Sequence, residues 1–347
     1  MNKSTFCILP FKHLYADPDG KVRPCCISKP IDGKNLKTNH IAEVFNTKPF
    51  KQLRLDLING VKNDICSTCW EREEAGVDSQ RIFSNVKYGY EYEMYDDGAV
   101  LPDFTSIDVR FSNLCNFKCV MCGPWLSSAH WTGEGPKVVN IKDNIVDELI
   151  PFIDDLQHIY FGGGEPLLMP EHYTMLKHLY DNKRDITIKY TTNLSVIKHD
   201  VYDLIDMWKK FKGVHLQVSI DGLFEKGEKI RVGLDTQKFL KNIQLLKDND
   251  LYYTFSFTTG NHNIFDIYEF IHNVKSLDIG TEDMIELHNY VTSPFKFSLH
   301  NMTKEKKNHA IEYLLENIDT VESNSLRKQI YNLIKFIDVD DTSKPRL

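Results

Sequence analysis

The chain has 347 residues, 41% of them hydrophobic and 26% charged, which is enough apolar material for a large core and for more than one domain. The net charge is −7, no run of Lys or Arg exceeds two, no apolar run approaches a membrane span, and the N-terminus lacks the long apolar core of a secretory signal. These features argue against a membrane protein and against a nucleic-acid partner, which normally demands a basic face, and a cytoplasmic location is expected.

In chain order, "FKHLYADPDGKVRPCC" (11–26) reads as two short strands joined by a turn at "DPDG". "KPFKQLRLDLING" (48–60) reads as a short amphipathic helix stopped by Gly60. Residues 1–75 thus form a small, loop-rich module with little core of its own, which a metal centre would help to hold together. Residues 76–104 read as a polar, tyrosine-rich connector. Strand patterns follow at 105–112, 158–164, 186–193, 214–221, 252–259 and 285–291, rich in β-branched and aromatic residues. Helical patterns lie between them at 143–156, 171–182, 197–212, 235–249 and 263–276, with Asp235 as an N-cap. This alternation implies right-handed βαβ units and a parallel sheet. The expected fold is α/β, with a partial (β/α)6 TIM-like barrel over 105–300. A C-terminal helical extension at 301–347 contains helices near 303–317 and 321–337, then a polar tail.

All eight cysteines, at 7, 25, 26, 66, 69, 115, 119 and 122, lie in the first 122 residues. In a large cytoplasmic chain such a set points to metal binding or redox chemistry rather than to disulfides. "CNFKCVMC" places Cys115, Cys119 and Cys122 on one loop after the first barrel strand. A structural zinc ion takes four ligands, and no histidine follows before His130. Three thiolates on a tight loop suit a [4Fe–4S] cluster better, with one iron left open for a small molecule.

Further motifs end the successive strands: "GGGEP" (162–166), "TTN" (191–193), "VSIDG" (218–222) and "TTGN" (258–261). In parallel α/β barrels, sites form at these strand ends. Together with the cysteine triplet, the motifs resemble those of the radical S-adenosylmethionine (SAM) superfamily over about 105–300. The resemblance implies that Cys115, Cys119 and Cys122 hold a cluster whose open iron chelates SAM. It further implies that Gly162, Gly163, Gly164 and Glu165 hold the SAM amino group, and that Asn193, at the end of the third strand, lies at the SAM site. Ser219 and Asp221 would meet the ribose or the amino-acid part, and Arg231 the carboxylate. Met121 stands where many family members carry an aromatic residue near the adenine.

Cys66 and Cys69 form a CxxC, "CSTCW", far downstream of Cys7 and of the Cys25–Cys26 pair. The order of cysteine, hairpin with a "DG" turn, cysteine, helix and CxxC resembles the twitch module, a shortened relative of the SPASM domain. In most relatives this module follows the barrel, and here it precedes it. The resemblance implies a second, auxiliary [4Fe–4S] cluster held by Cys7, Cys25, Cys66 and Cys69, with an electron-relay role. Cys26 is the spare thiol or exchanges places with Cys25, and a four-cysteine zinc site is the alternative for the module. The activity implied is reductive cleavage of SAM to a 5′-deoxyadenosyl radical that abstracts a substrate hydrogen, with an electron donor such as flavodoxin or ferredoxin. The expected substrate is a peptide or protein side chain. A dehydrogenase or epimerase acting on a small, sugar-like molecule is the alternative, and a metal-stabilised binding module without SAM chemistry is another.

Overall fold

A computed structural model describes residues 4–31, 33–74, 76, 78–134 and 137–338, so the polar tail from 339 onward lies outside the described residues. The strands in chain order are β1 (His13–Ala16), β2 (Val22–Arg23), β3 (Ser106–Val109), β4 (Lys118–Cys119), β5 (His158–Phe161) and β6 (Thr187–Thr192). They continue with β7 (Lys198–His199), β8 (Tyr202–Asp203), β9 (Gly213–Ser219), β10 (Arg231–Val232), β11 (Tyr252–Thr259) and β12 (Ile285–Tyr290). The chain divides into two compact units. One comprises residues 1–114, 134–189 and 210–213, and the other residues 115–133, 190–209 and 214–347.

In the first unit β1 and β2 form the expected antiparallel hairpin, with Tyr15 opposite Arg23. The other edge of β1 pairs in parallel with β3, from His13 opposite Ser106 to Ala16 opposite Val109. β3 in turn pairs in parallel with β5. The N-terminal hairpin therefore extends the sheet on which the α/β fold is built. Side chains alternate across a strand. Ile107, Val109, Ile159 and Phe161 are buried apolar residues on one face, and Ser106, Asp108, His158 and Tyr160 occupy the other.

The helix Lys48–Ile58 forms as expected and buries Phe50, Leu53 and Leu57. Arg54 is buried with them, its charge spent entirely on hydrogen bonds. Nε donates to the Pro10 carbonyl at 2.7 Å, Nη1 to Gly98 O at 3.1 Å and to Asn46 Oδ1 at 3.2 Å, and Nη2 to Phe45 O at 2.7 Å. Its guanidinium also lies 4.6 Å from the centroid of the Phe45 ring. The stretch read as a connector contains a helix, Gln80–Tyr88, opened by Ser79, whose hydroxyl accepts from Ile82 N–H, and closed by Gly89 at φ +79°. Farther along, Tyr92 packs on Phe11 and Phe6, with centroids 4.4 and 5.4 Å apart.

In the second unit β9, β11 and β12 pair in parallel, as the alternation implies. Asp235 caps the helix Thr236–Asp248 by accepting from Lys238 N–H at 2.9 Å. The helices Ile267–Ser276, Lys304–Asn317 and Asn324–Asp338 also form where expected. Residues 197–212 depart from expectation. They form the β7–β8 hairpin, turned at Asp200 with φ +50°, and a helix of only five residues, Leu204–Trp208, capped by Asp203. Asp tolerates the left-handed turn and competes with helix by bonding nearby backbone, which explains why an apolar period alone did not decide this segment. Among the described residues no helix is long and apolar enough to cross a membrane.

Arg54 generates a stability prediction. Arg54→Met keeps the apolar stem but leaves buried carbonyls without donors, at about 1–3 kcal/mol each. Urea unfolding should show a loss of about 3 kcal/mol or more, and an unchanged midpoint would show that water or a shift of the backbone replaces the clamp.

Candidate metal centres and cofactor site

The triplet loop belongs to the second unit. Cys119 lies in β4, which pairs antiparallel with β10 so that Arg231 stands opposite Cys119. The Arg231 side chain reaches back over the loop, with Nη1 3.9 Å from Cys119 Sγ. Its Nε is 2.7 Å from Asp221 Oδ2, an ion pair that is close but not aligned as a hydrogen bond. Asp221 is 0% exposed, and its Oδ1 accepts from Thr258 N–H at 2.6 Å. Burial works against the Arg231 charge, but Asp221 and the neighbouring thiols hold its pKa above the ordinary value.

The thiols themselves sit where thiolates are disfavoured. Burial raises the pKa of Cys119, with Arg231 pulling the other way, and pushes Cys122 up to about 11, with Cys119 adding to the rise. The loop backbone is fastened from downstream residues. Ser127 donates its hydroxyl to Phe117 O at 2.7 Å, Cys115 N–H donates to Ser128 Oγ at 3.2 Å, and His130 Nε2 meets Cys119 O at 2.9 Å. Asn193, at the end of β6, donates to Asn116 Oδ1 at 3.0 Å, and its own Oδ1 accepts from Ser195 N–H. Gly233, at φ +112°, has no room for a side chain, since a Cβ there would stand 3.0 Å from Asn116 O.

Sequence reasoning singled out Asn193, Asp221 and Arg231, and the structure brings all three to this loop. It missed Ser127, Ser128 and His130, whose only signal is their position within a few residues of the last cysteine. It also missed His262, both of whose ring nitrogens are buried without a hydrogen bond among the described residues; burial lowers its pKa while Asp221 raises it. Met121 is half-buried on the loop itself, and Ser219 ends β9 opposite Ser256.

The glycine segment belongs to the first unit, after β5. Glu165 is 1% exposed, and its carboxylate accepts from Leu167 N–H at 3.1 Å, capping the turn Pro166–Leu168. Its own N–H donates to Leu114 O at 2.7 Å, on the residue that precedes Cys115 in the chain. A Cβ on Gly164 would lie 2.2 Å from that same carbonyl, so the close approach requires glycine there. Gly163 adopts φ +113°, and Gly162 lies against the Tyr160 ring.

The first unit also contains the other cysteines. Cys7, Cys25, Cys66 and Cys69 line one cavity, and Cys26 is exposed and does not line it. Leu9, Leu53, Leu57 and Trp70 form an apolar cluster with Cys7 and Cys25, against which Cys66 packs. Burial raises the Cys7 pKa well above the ordinary value and pushes Cys25 and Cys66 up to about 12, and neighbouring thiols add to each rise. The guanidinium of Arg81 lies at the cavity wall and works against the rise at Cys66. Arg81 is positioned by Glu73 at 2.6 Å and by Phe6 O at 2.9 Å, and stacks 5.3 Å from the Trp70 ring centroid. Asn85 on the same helix accepts from Ile8 N–H and donates to Phe6 O, fixing the backbone on both sides of Cys7.

Comparison with known proteins bears on both sites. Residues 109–274 match the model of the Radical SAM superfamily, and residues 7–70 match that of an iron-sulfur cluster-binding domain, SPASM. GTP 3′,8-cyclase of Campylobacter lari is 28% identical over 130 residues, covering 35% of this chain and 36% of that protein. GTP 3′,8-cyclase of Sulfurimonas denitrificans is 31% identical over 128 residues, covering 35% of each chain. The chain thus spans about a third of the length of these curated relatives. Among solved structures, native anSMEcpe with bound AdoMet and Kp18Cys peptide has a TM-score of 0.45 at 18% identity, covering 62% of this chain and 59% of that one. Streptococcus suis SuiB bound to S-adenosylmethionine has a TM-score of 0.39 at 14% identity, covering 88% and 67%. A Radical SAM domain implies a [4Fe–4S] cluster and SAM, and the N-terminal domain is one that binds an iron–sulfur cluster. The chain therefore carries a Radical SAM domain, with a SPASM-type iron–sulfur cluster-binding domain ahead of it.

Proposed function

We propose that this protein cleaves SAM reductively and abstracts a hydrogen atom from a peptide or protein side chain, with an auxiliary cluster relaying electrons. The observation that carries the two-cluster reading is the separation of the thiols into two sets, three on the loop around Cys119 and four around one cavity. When bound, the loop cluster and SAM supply an electron and a 5′-deoxyadenosyl radical.

The residues of the chain do the rest. Cys115, Cys119 and Cys122 supply thiolates, and the Arg231 charge beside Cys119 favours the deprotonated form against burial. Asp221 keeps that charge in place. For Gly162, Gly163, Gly164, Glu165, Ser219, Asn193 and Met121, the role of SAM contact rests on the family motif. Cys7, Cys25, Cys66 and Cys69 hold the auxiliary cluster, and Cys26 is left out because it does not line the cavity. A zinc ion holds thiolates at about 2.3 Å and hence within about 4 Å of one another. A zinc ion held by the same four thiolates is the alternative for this module. A small-molecule substrate is the second reading, favoured by curated relatives whose name specifies GTP.

In anaerobically reconstituted, dithionite-reduced protein, Cys119→Ala should abolish 5′-deoxyadenosine formation. Undiminished cleavage by that variant would refute the assignment of the loop. Cys66→Ala should lose about one cubane, roughly four Fe, by iron analysis, whereas Cys26→Ala should keep the full complement. Equal iron in the two variants would show that the auxiliary ligands are wrongly assigned.

A further inference from the structure

In the first unit a row of polar side chains crosses the sheet at a single register. Arg23 stands opposite Tyr15, Tyr15 opposite Asp108, and Asp108 opposite Tyr160. Directly opposed residues point to the same face of a sheet, so these four share one face. Arg110, two residues beyond Asp108, joins the same face, and its backbone N–H continues the ladder by donating to Ala16 O.

The charges along this row are satisfied unequally. Asp17 is fully engaged, accepting from Arg23 Nη2 at 2.8 Å and from the Tyr15 hydroxyl at 2.7 Å. Arg110 Nε and Asp108 Oδ1 stand 3.6 Å apart, beyond hydrogen-bond reach, and both atoms are buried without a hydrogen-bond partner among the described residues. Asp108 is only 8% exposed. The Arg110 guanidinium lies over the Tyr15 ring, 5.2 Å from its centroid, which sets its plane without using an N–H. Burial pushes the Asp108 pKa up to about 6, against the pull of Arg110. Unsatisfied buried polar atoms are rare because they are costly, and such a pair calls for a reason. The pair also has an approach, since 23% of the Arg110 side chain and 11% of the Asp108 side chain remain exposed.

We propose that Arg110 and Asp108 form a binding site for a substrate that carries an anionic group, carboxylate or phosphate, beside a hydroxyl or ammonium donor. The planar fork of Arg110 takes the anion, and Asp108 accepts from the adjacent donor. Tyr15 orients the guanidinium from below, and Tyr160 closes the row beside Asp108. Calling the ligand a substrate rests on the radical SAM reading above; the binding itself does not.

The test titrates the reconstituted full chain by ligand-detected NMR with two probes, glycolate for the carboxylate source and glycerol 3-phosphate for the phosphate source. At least one should bind, and the one that does identifies the source. Arg110→Met should weaken that binding by about tenfold or more, the loss of a charged hydrogen bond. Asp108→Asn keeps the acceptor and removes a like charge, so it should tighten binding by about twofold or more. The opposite signs separate a built site from general damage. The proposal is overturned if neither probe binds the wild-type chain, if Arg110→Met titrates as wild type does, or, should that variant not fold, if Asp108→Asn leaves the affinity unchanged. If instead the wild-type chain forms no 5′-deoxyadenosine while the titrations behave as expected, the radical SAM reading fails and the site stands.

Discussion

The buried charge of Arg231 constrains the cysteine loop more than any other feature of its unit. A guanidinium out of water is costly unless it is paired and its donors are used. Asp221 supplies the pair, and Asp221 is itself fixed by the backbone N–H of Thr258. Because β10 is bonded to β4, the same arginine whose charge must be matched is also the backbone partner of Cys119. The ends of β9 and β11 and the thiol loop are thereby tied through one ion pair, and none of the three can shift without leaving a charge alone. The motif "VSIDG" thus gains a structural meaning beside its family one: its carboxylate orients the arginine that flanks the thiol.

The cavity of the first unit solves a related problem differently. Four thiols line one cavity, and burial together with neighbouring thiols raises the proton affinity of Cys7 and Cys66. No acid–base pair is built among them. A single cation, Arg81, stands at the wall, anchored by Glu73, Trp70 and the backbone of Phe6. Such a cavity favours neutral thiols, so a metal centre bound there would have to displace their protons. The helix that carries Arg81 and Asn85 is therefore part of the thiol cavity's frame, although no cysteine lies on it.

This helix shows where a sequence stops being legible. The strands from 105 to 291, most helices between them and the N-terminal hairpin follow from apolar period and turn chemistry, because a half-buried strand or helix writes its environment into its spacing. The helix at 80–88 buries Arg81, Ser84 and Asn85; Arg81 and Asn85 bond backbone groups near residue 7, and no periodicity announces contacts of that kind. The hairpin at 198–203 was hidden for a similar reason, since Asp200 in a left-handed turn and Asp203 bonding local backbone outweigh an apolar pattern. Among site residues, cysteines and glycines are legible because metal ligation and close backbone approach admit few alternatives. Ser127, Ser128 and His130 act through generic hydrogen bonds to loop backbone, and many other residues could have done so.

The parallel pairing of β1 with β3 joins the N-terminal cluster-binding segment to the α/β sheet within one unit. The pairing shows how a module placed ahead of the α/β strands in the chain can still be built into their sheet. It needs no long excursion, because Thr105 N–H donates to Lys12 O and Arg110 N–H to Ala16 O, bracketing the shared ladder. It also makes one sheet face a joint product of two sequence segments that the family models treat separately: Tyr15 and Arg23 come from the match at 7–70, Arg110 from the match at 109–274, and Asp108 from the residue immediately before it. A pair such as Asp108 and Arg110 has no recognisable spacing in either segment alone. Its chemistry arises only when the hairpin lays the Tyr15 ring beneath the guanidinium.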